Sequence, residues 1–226
     1  MTSSGRDNDK GRIMAVYTEQ LQQLYIAYFK RPADVAGLAF WETAAAGRGV
    51  EALLPSFTQS AEYASLYQGL SNQQVVNTMY QNLFGRDAES AGLAFWVQAL
   101  ESGALTLETL PLSLIRDASA DDVRALAHKT TAATAFTGAL DTAAEAEAYS
   151  GAAAFDIARA WLATITEEPA SATAAATAMS SVLSNAVDAG NGITHGKVVD
   201  GYIAGATVFA DANGNLTWDE GEARTV

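Results

Sequence analysis

Apolar side chains recur along the first part of the chain with the period of a helix. Tyr17, Leu21, Leu24, Tyr25 and Tyr28 fall at steps of three and four, one stripe of a 3.6-residue repeat. Pro32 ends that helix, because proline has no amide hydrogen to continue the ladder. A second helix is expected to start at Asp34 or Val35, carry Trp41 and stop at Gly47 or Gly49. A third begins near Val50, and Ser60 stands where the cap of a fourth belongs. Val76, Met79, Tyr80 and Leu83 then restore the stripe. After residue 117 the chain turns Ala-rich and stays helical. One helix runs through Asp121, Val123, Leu126 and Phe136 to about Gly138. A further one covers 153–166, with Phe155, Ile157, Trp161 and Leu162 as its apolar positions. A last one starts at Pro169 and ends near Val187. The pattern changes at 188–192 (DAGNG), a cluster of helix breakers. Val198, Val199 and the stretch 202–209 (YIAGATVF) favour strand. An acidic loop, 211–222 (DANGNLTWDEGE), follows.

The stripe also repeats as sequence. Residues 24–41 (LYIAYFKRPADVAGLAFW) and 79–96 (MYQNLFGRDAESAGLAFW) share ten of eighteen positions at an offset of 55. Tyr25/Tyr80, Phe29/Phe84, Arg31/Arg86, Gly37/Gly92 and Trp41/Trp96 are among them, and AGLAFW recurs unbroken. Asp34 and Glu89 keep an acid at one position. Leu54-Pro55 and Leu110-Pro111 match again after one extra residue. An internal duplication is the reading this supports. The expected fold is mainly α: a helical domain built on a duplicated multi-helix unit, with a short C-terminal β segment and an acidic loop. Its expected organisation is a flexible polar leader over 1–13 and a helical domain over 14–188. That domain comprises repeat one at about 14–70, repeat two at about 71–117 and Ala-rich helices over 118–188. Residues 189–226 are expected to be a linker and the start of a β-type domain.

Composition narrows the chemistry. The net charge is −13, from 13 Lys+Arg against 26 Asp+Glu. That balance argues against a nucleic-acid binder, and against an anionic surface approached without bridging divalent cations. The chain has no cysteine, which excludes disulfides, thiolate metal sites and a cysteine nucleophile. No cleavable signal peptide and no apolar run of membrane-spanning length is present. The only histidines are His128 and His195, and no HExxH, GxSxG or P-loop pattern occurs. Adjacent acids, Asp121-Asp122 and Glu167-Glu168, point to different sides of a helix and read as solvated faces. No catalytic residue is assigned, and the chain is expected not to be an enzyme.

Two constellations carry candidate chemistry. Counted from Asp211, the acidic loop places Asp211, Asn213, Asn215, Thr217, Asp219 and Glu222 at the ligand positions of an EF-hand loop, with Thr217 giving its carbonyl. These oxygens suit a hard cation, Ca2+. Leu216 stands where the EF-hand loop has glycine, and Asn213-Gly214 is equally a hairpin turn without metal. The second constellation is the duplicated Arg31, Trp41, Arg86 and Trp96. Structurally, the nearby acids cap helices, the arginines pair with them and the tryptophans anchor the core. Functionally, exposed aromatic faces beside arginine would stack on sugar rings, and duplication would add avidity.

The unit Tyr25–Trp41, repeated as Tyr80–Trp96, resembles the DUF4214 family of bacterial surface and haemolysin-type proteins. The family hallmark, YxxLFGRxxDxxGLxYW, corresponds here to YQNLFGRDAESAGLAFW. The first copy has Lys30 where the hallmark has glycine; the second keeps Gly85. The motif is also similar to the helical phycobilisome linker unit, and 128–179 resembles the helical continuation common in such proteins. The tail, 205–222, resembles the opening of calcium-binding β-sandwich repeats of adhesins, including surface-layer proteins exported by type I secretion. The resemblance implies an extracellular, cell-surface anchoring and assembly module. It would bind lipopolysaccharide or another envelope polysaccharide with calcium and self-associate, without nucleic acid or membrane insertion. The alternatives are a purely structural helical scaffold for protein–protein contacts, or the targeting module of a larger secreted hydrolase.

Overall fold

The computed structural model describes residues 3–193, with side chains from residue 16, and two short strands beyond them. Helix α1 spans Ser3–Phe29. It takes in the polar stretch expected to be a leader. Extending a helix costs far less than nucleating one, so the packed half of α1 supports helix in the polar half. Leu21, Leu24, Tyr25, Ile26, Ala27, Tyr28 and Phe29 are all buried. This end of α1 is therefore a central helix enclosed on every side rather than an amphipathic one. Each such aliphatic or aromatic side chain contributes about 1.5–3 kcal/mol on burial.

α2 (Val35–Arg48) begins at the cap Asp34, whose carboxylate accepts the Gly37 amide, and ends at Gly49. A 3-10 turn, Glu51–Leu53, leads into α3 (Leu54–Thr58), and Ser60 caps α4 (Ala61–Tyr67). Ser71 and Gln74 form a reciprocal capping box for α5 (Asn72–Phe84). Then come α6 (Ser90–Glu101), α7 (Leu110–Arg116) and α8 (Ala120–Ala139). The short α9 (Ala143–Ala148) was not evident in the apolar pattern, although Thr142 and Glu145 spell its capping box. α10 (Gly151–Ala163) and α11 (Pro169–Gly190) complete the helical unit, with α11 running three residues past Val187.

The end of α1 packs against α2, α4, α5, α7 and α8, and α8 meets α5, α10 and α11. One continuous core results. Its aromatic centre lies between α1 and α3: Phe57 stacks on Tyr28, Phe29 and Trp41 at centroid distances of 5.5, 5.7 and 5.0 Å. The two stretches of the repeated motif end their first helix differently. α5 closes on Gly85 in the left-handed region (φ 75°), whereas the matched residue after α1 is Lys30, at φ 61°. A side chain in that region costs roughly 1–2 kcal/mol.

The second compact unit spans His195–Val226. Within it the structure describes a two-residue antiparallel pair, β1 (Val208–Phe209) with β2 (Arg224–Thr225), in the register Val208 to Thr225. Two residues per strand do not make a β-sandwich sheet. The proposed calcium ligands Asp211, Asn213, Asn215, Thr217, Asp219 and Glu222 lie outside the described residues.

Candidate functional site

Both copies of the repeated motif build a turn pinned by an arginine. In the first, Arg31 is 4% exposed and donates Nε and Nη2 to the two carboxylate oxygens of Glu62, each at 2.8 Å. Its Nη1 donates to the Pro32 carbonyl at 3.0 Å and lies 3.4 Å from Asp34. The guanidinium stands 3.7 Å above the Phe155 ring. Glu62 sits in the first turn of α4 and takes a second cation, Arg159 Nη2, at 2.7 Å. Burial alone would lower the Arg31 pKa. The hydrogen bonds and charge of Glu62 outweigh it, so Arg31 is held more firmly protonated than usual. Behind the arginine, Gln22 Oε1 accepts the Ala33 amide, and the Tyr25 ring lies edge-on to Phe29 and Phe57. Gly37 passes so close to Tyr25 that a Cβ there would stand 2.3 Å from the phenol oxygen. That explains Gly37; at Gly92 a Cβ would stand 3.6 Å from the Tyr80 phenol oxygen, an ordinary contact.

The second turn repeats these contacts with other partners. Arg86 Nε and Nη2 donate to the Asp122 carboxylate, each at 2.7 Å, and Nη1 reaches the Asp87 carbonyl and Glu89. Asp122 lies in the first turn of α8 and closes its capping box with Ser119. Asn77 Oδ1 accepts the Ala88 amide, and the Trp96 indole donates to Tyr80 Oη at 2.9 Å. Glu89, one methylene longer than Asp34, does not cap its helix and pairs with Arg86 instead. Asp122 is a correction to the sequence reading. Its side chain is buried against Arg86, while Asp121 faces outward to Arg124. Desolvation would raise the Asp122 pKa, but the hydrogen bonds from Arg86 and Ser119 prevail and lower it.

The arrangement locks elements together. Each arginine fastens the turn after one helix to the start of a helix 31 or 36 residues further on. Arg31 and Trp96 are buried, Trp96 at 6% exposure, and Trp41 is half-buried against Phe57. The aromatic open to solvent in each AGLAFW block is the phenylalanine beside the tryptophan. Phe40 is 63% exposed and Phe95 60%. Ala36 and Ala39 flank Phe40, Ala91 and Ala94 flank Phe95, and all four are exposed. This pair of faces has a sequence signal: adjacent helix positions point about 100° apart, so on a helix packed along one side a Trp turned to the core leaves the neighbouring Phe at the open edge.

Residues 54–117 match the family model described as Domain of unknown function (DUF4214). The match runs from α3 to the end of α7 and includes the Arg86 turn, whereas the Arg31 turn lies before it. No curated protein and no solved structure matches the chain. Among the described residues, no three His, Asp or Glu side chains gather as a metal ion would require, and no helix is long and apolar enough to cross a membrane.

Proposed function

We propose that the helical unit is a non-enzymatic scaffold for protein–protein contacts, and that two duplicated helix faces make those contacts. The observation that carries this reading is the exposed half of AGLAFW. Gly37 passes against the Tyr25 phenol, and Leu38, Trp41, Leu93 and Trp96 pack on the core. Ala36 and Ala39 touch no part of the core, and Phe40 meets only the edge of its neighbour Trp41 while most of its ring stays open, yet all three recur unchanged as Ala91, Ala94 and Phe95. Folding does not require an open phenylalanine at matched positions of two helices. Small residues around a large aromatic give a flat apolar spot of the kind that seats a partner helix.

The partner assigned to these faces is a second copy of the chain. Laying α2 of one copy antiparallel on α6 of another, Phe40 against Phe95, brings opposite charges together at one end. Arg48 lies eight residues after Phe40, and Asp87 eight before Phe95. Glu89 adds a further exposed carboxylate there. Sedimentation velocity across rising concentration tests this. The chain is expected to shift from monomer to larger species, and Phe40→Ser with Phe95→Ser to weaken association by about 30-fold or more. A wild-type chain that stays monomeric at the highest concentration removes the self-contact reading.

A finer reading places this scaffold at a cell surface, with calcium on residues 211–222 and an envelope polysaccharide as ligand. Its support is the ligand spacing of that loop and the resemblance of 205–222 to adhesin repeats. Calorimetric titration with calcium is expected to release or absorb heat that Asp211→Ala abolishes. Absence of heat in the wild-type chain would leave the loop an acidic turn. The matched contacts of the Arg31 and Arg86 turns support the origin of the two units by duplication.

A further inference from the structure

Lysine is a poor choice for the left-handed residue after α1. The matched position after α5 is glycine, the residue that region favours. A side chain kept in a disfavoured backbone conformation points to a use for that side chain. The use is visible in what Lys30 faces. Lys30, Lys129 and Arg159 line one cavity of about 150 Å3, with Gln81 and Asn82. Three cations around so small a space are notable in a chain of net charge −13.

Their partners leave positive charge over. Arg159 is satisfied by the Phe29 carbonyl, Glu62 and Asp156. Lys129 is 1% exposed and has no carboxylate beside it. It donates to the carbonyls of Gln81 and Asn82, at 3.2 and 2.8 Å, which uses two of the three hydrogens of its ammonium. The Lys30 side chain makes no hydrogen bond or ion pair among the described residues. Its pKa is pushed down, first by burial and then by the Arg159 charge, and burial pushes that of Lys129 down to about 8. Each of these groups gains from an anion placed among them.

We infer that this cavity binds a small oxyanion, either inorganic phosphate or the terminal phosphate of a phosphomonoester, held by Lys30 and Lys129 with Arg159 at its wall. The volume sets the class. Pockets for whole small molecules run to about 300–1,000 Å3, so a space half the lower bound takes an ion or a terminal group rather than a nucleotide or a sugar. The inference is independent of the contacts between copies, because neither Phe40 nor Phe95 borders the cavity.

Differential scanning calorimetry of the full chain tests it, in inorganic phosphate against chloride of equal ionic strength, at neutral pH. At about ten times its Kd, phosphate is expected to raise the melting temperature by about 3–5 °C. Lys30→Gly copies the residue of the second unit. It is expected to melt no lower than wild type in chloride and to gain nothing from phosphate. Glycerol 3-phosphate distinguishes the sources: a matching gain assigns the cavity to phosphomonoester ends, and a gain with inorganic phosphate alone assigns it to the free ion. No gain in the wild-type chain, or an equal gain in Lys30→Gly, overturns the inference.

Discussion

Replacing Phe57 with alanine is expected to cost about 3–5 kcal/mol, a large fraction of the roughly 5–15 kcal/mol that holds an ordinary domain folded. Phe57 is fully buried and stacks on Tyr28, Phe29 and Trp41, with Tyr25 edge-on at 5.7 Å. Truncation removes the transfer energy of the ring and leaves a cavity walled by four other rings. Those walls resist collapse, because Tyr28 is tied to the Glu108 carbonyl and Tyr25, Tyr28 and Phe29 sit on a buried helix packed on every side. The loss therefore sits at the upper end of its class. Phe57→Leu retains most of the volume and is expected to lose much less. Urea unfolding followed by the tryptophan signal measures both. A loss under about 1.5 kcal/mol for Phe57→Ala would mean that the aromatic cluster is not the centre of the core.

Among the described residues, the second copy of the repeated motif is followed by no such aromatic centre. Counting on from the recurring Leu-Pro pair, the place of Phe57 is taken by Ser113, which is also buried. A serine contributes no ring, so the two units share their turns but not their aromatic centre. The 64 residues of the family match contain both Phe57 and Ser113, and hence both ways of filling that place.

Much of the helical map was legible because helix ends are local chemistry. Asp34, Gly49, Ser60 and Pro169 each mark a boundary within a residue, since caps and breakers act on the nearest turn of backbone. Where α1 begins was not legible, because residues 3–13 carry no apolar stripe and are helical only as an extension of the packed segment. The partners of the arginines were hidden for a different reason. The pattern Arg-x-x-acid proposes Asp34 and Glu89, and both do pair. The stronger, bidentate partners are Glu62 and Asp122, brought in by tertiary packing, and no local spacing announces them. Asp122 read as solvent-facing because it adjoins Asp121, yet neighbouring helix positions face different ways, and one of the two turned inward. Lys129 is similar. Nothing in AHKTT tells a buried lysine from an exposed one until the end of α5 supplies its carbonyls.

Glu62 gives the other large effect. Its carboxylate is the shared acceptor of Arg31 and Arg159, and Glu62→Ala is expected to cost about 3 kcal/mol. The cost arises from what is left behind. Arg31 stays buried, keeps the Pro32 carbonyl and the more distant Asp34, and loses both of its short carboxylate contacts. An uncompensated buried guanidinium is the expensive state, whereas a pair of well-packed apolar side chains is not. Arg31→Met combined with Glu62→Met is therefore expected to be more stable than the sum of the two single losses, with a coupling of about 1–3 kcal/mol in the double-mutant cycle. Asp122→Ala makes the same cut at the second turn, where Arg86 is about a third exposed and water replaces part of the lost contact. It is expected to cost distinctly less than Glu62→Ala. Urea midpoints at unchanged m-value give all of these numbers. Equal losses at Glu62 and Asp122 would show that burial of the arginine does not set the cost. Additive losses at Arg31 and Glu62 would show that the two do not act as one unit.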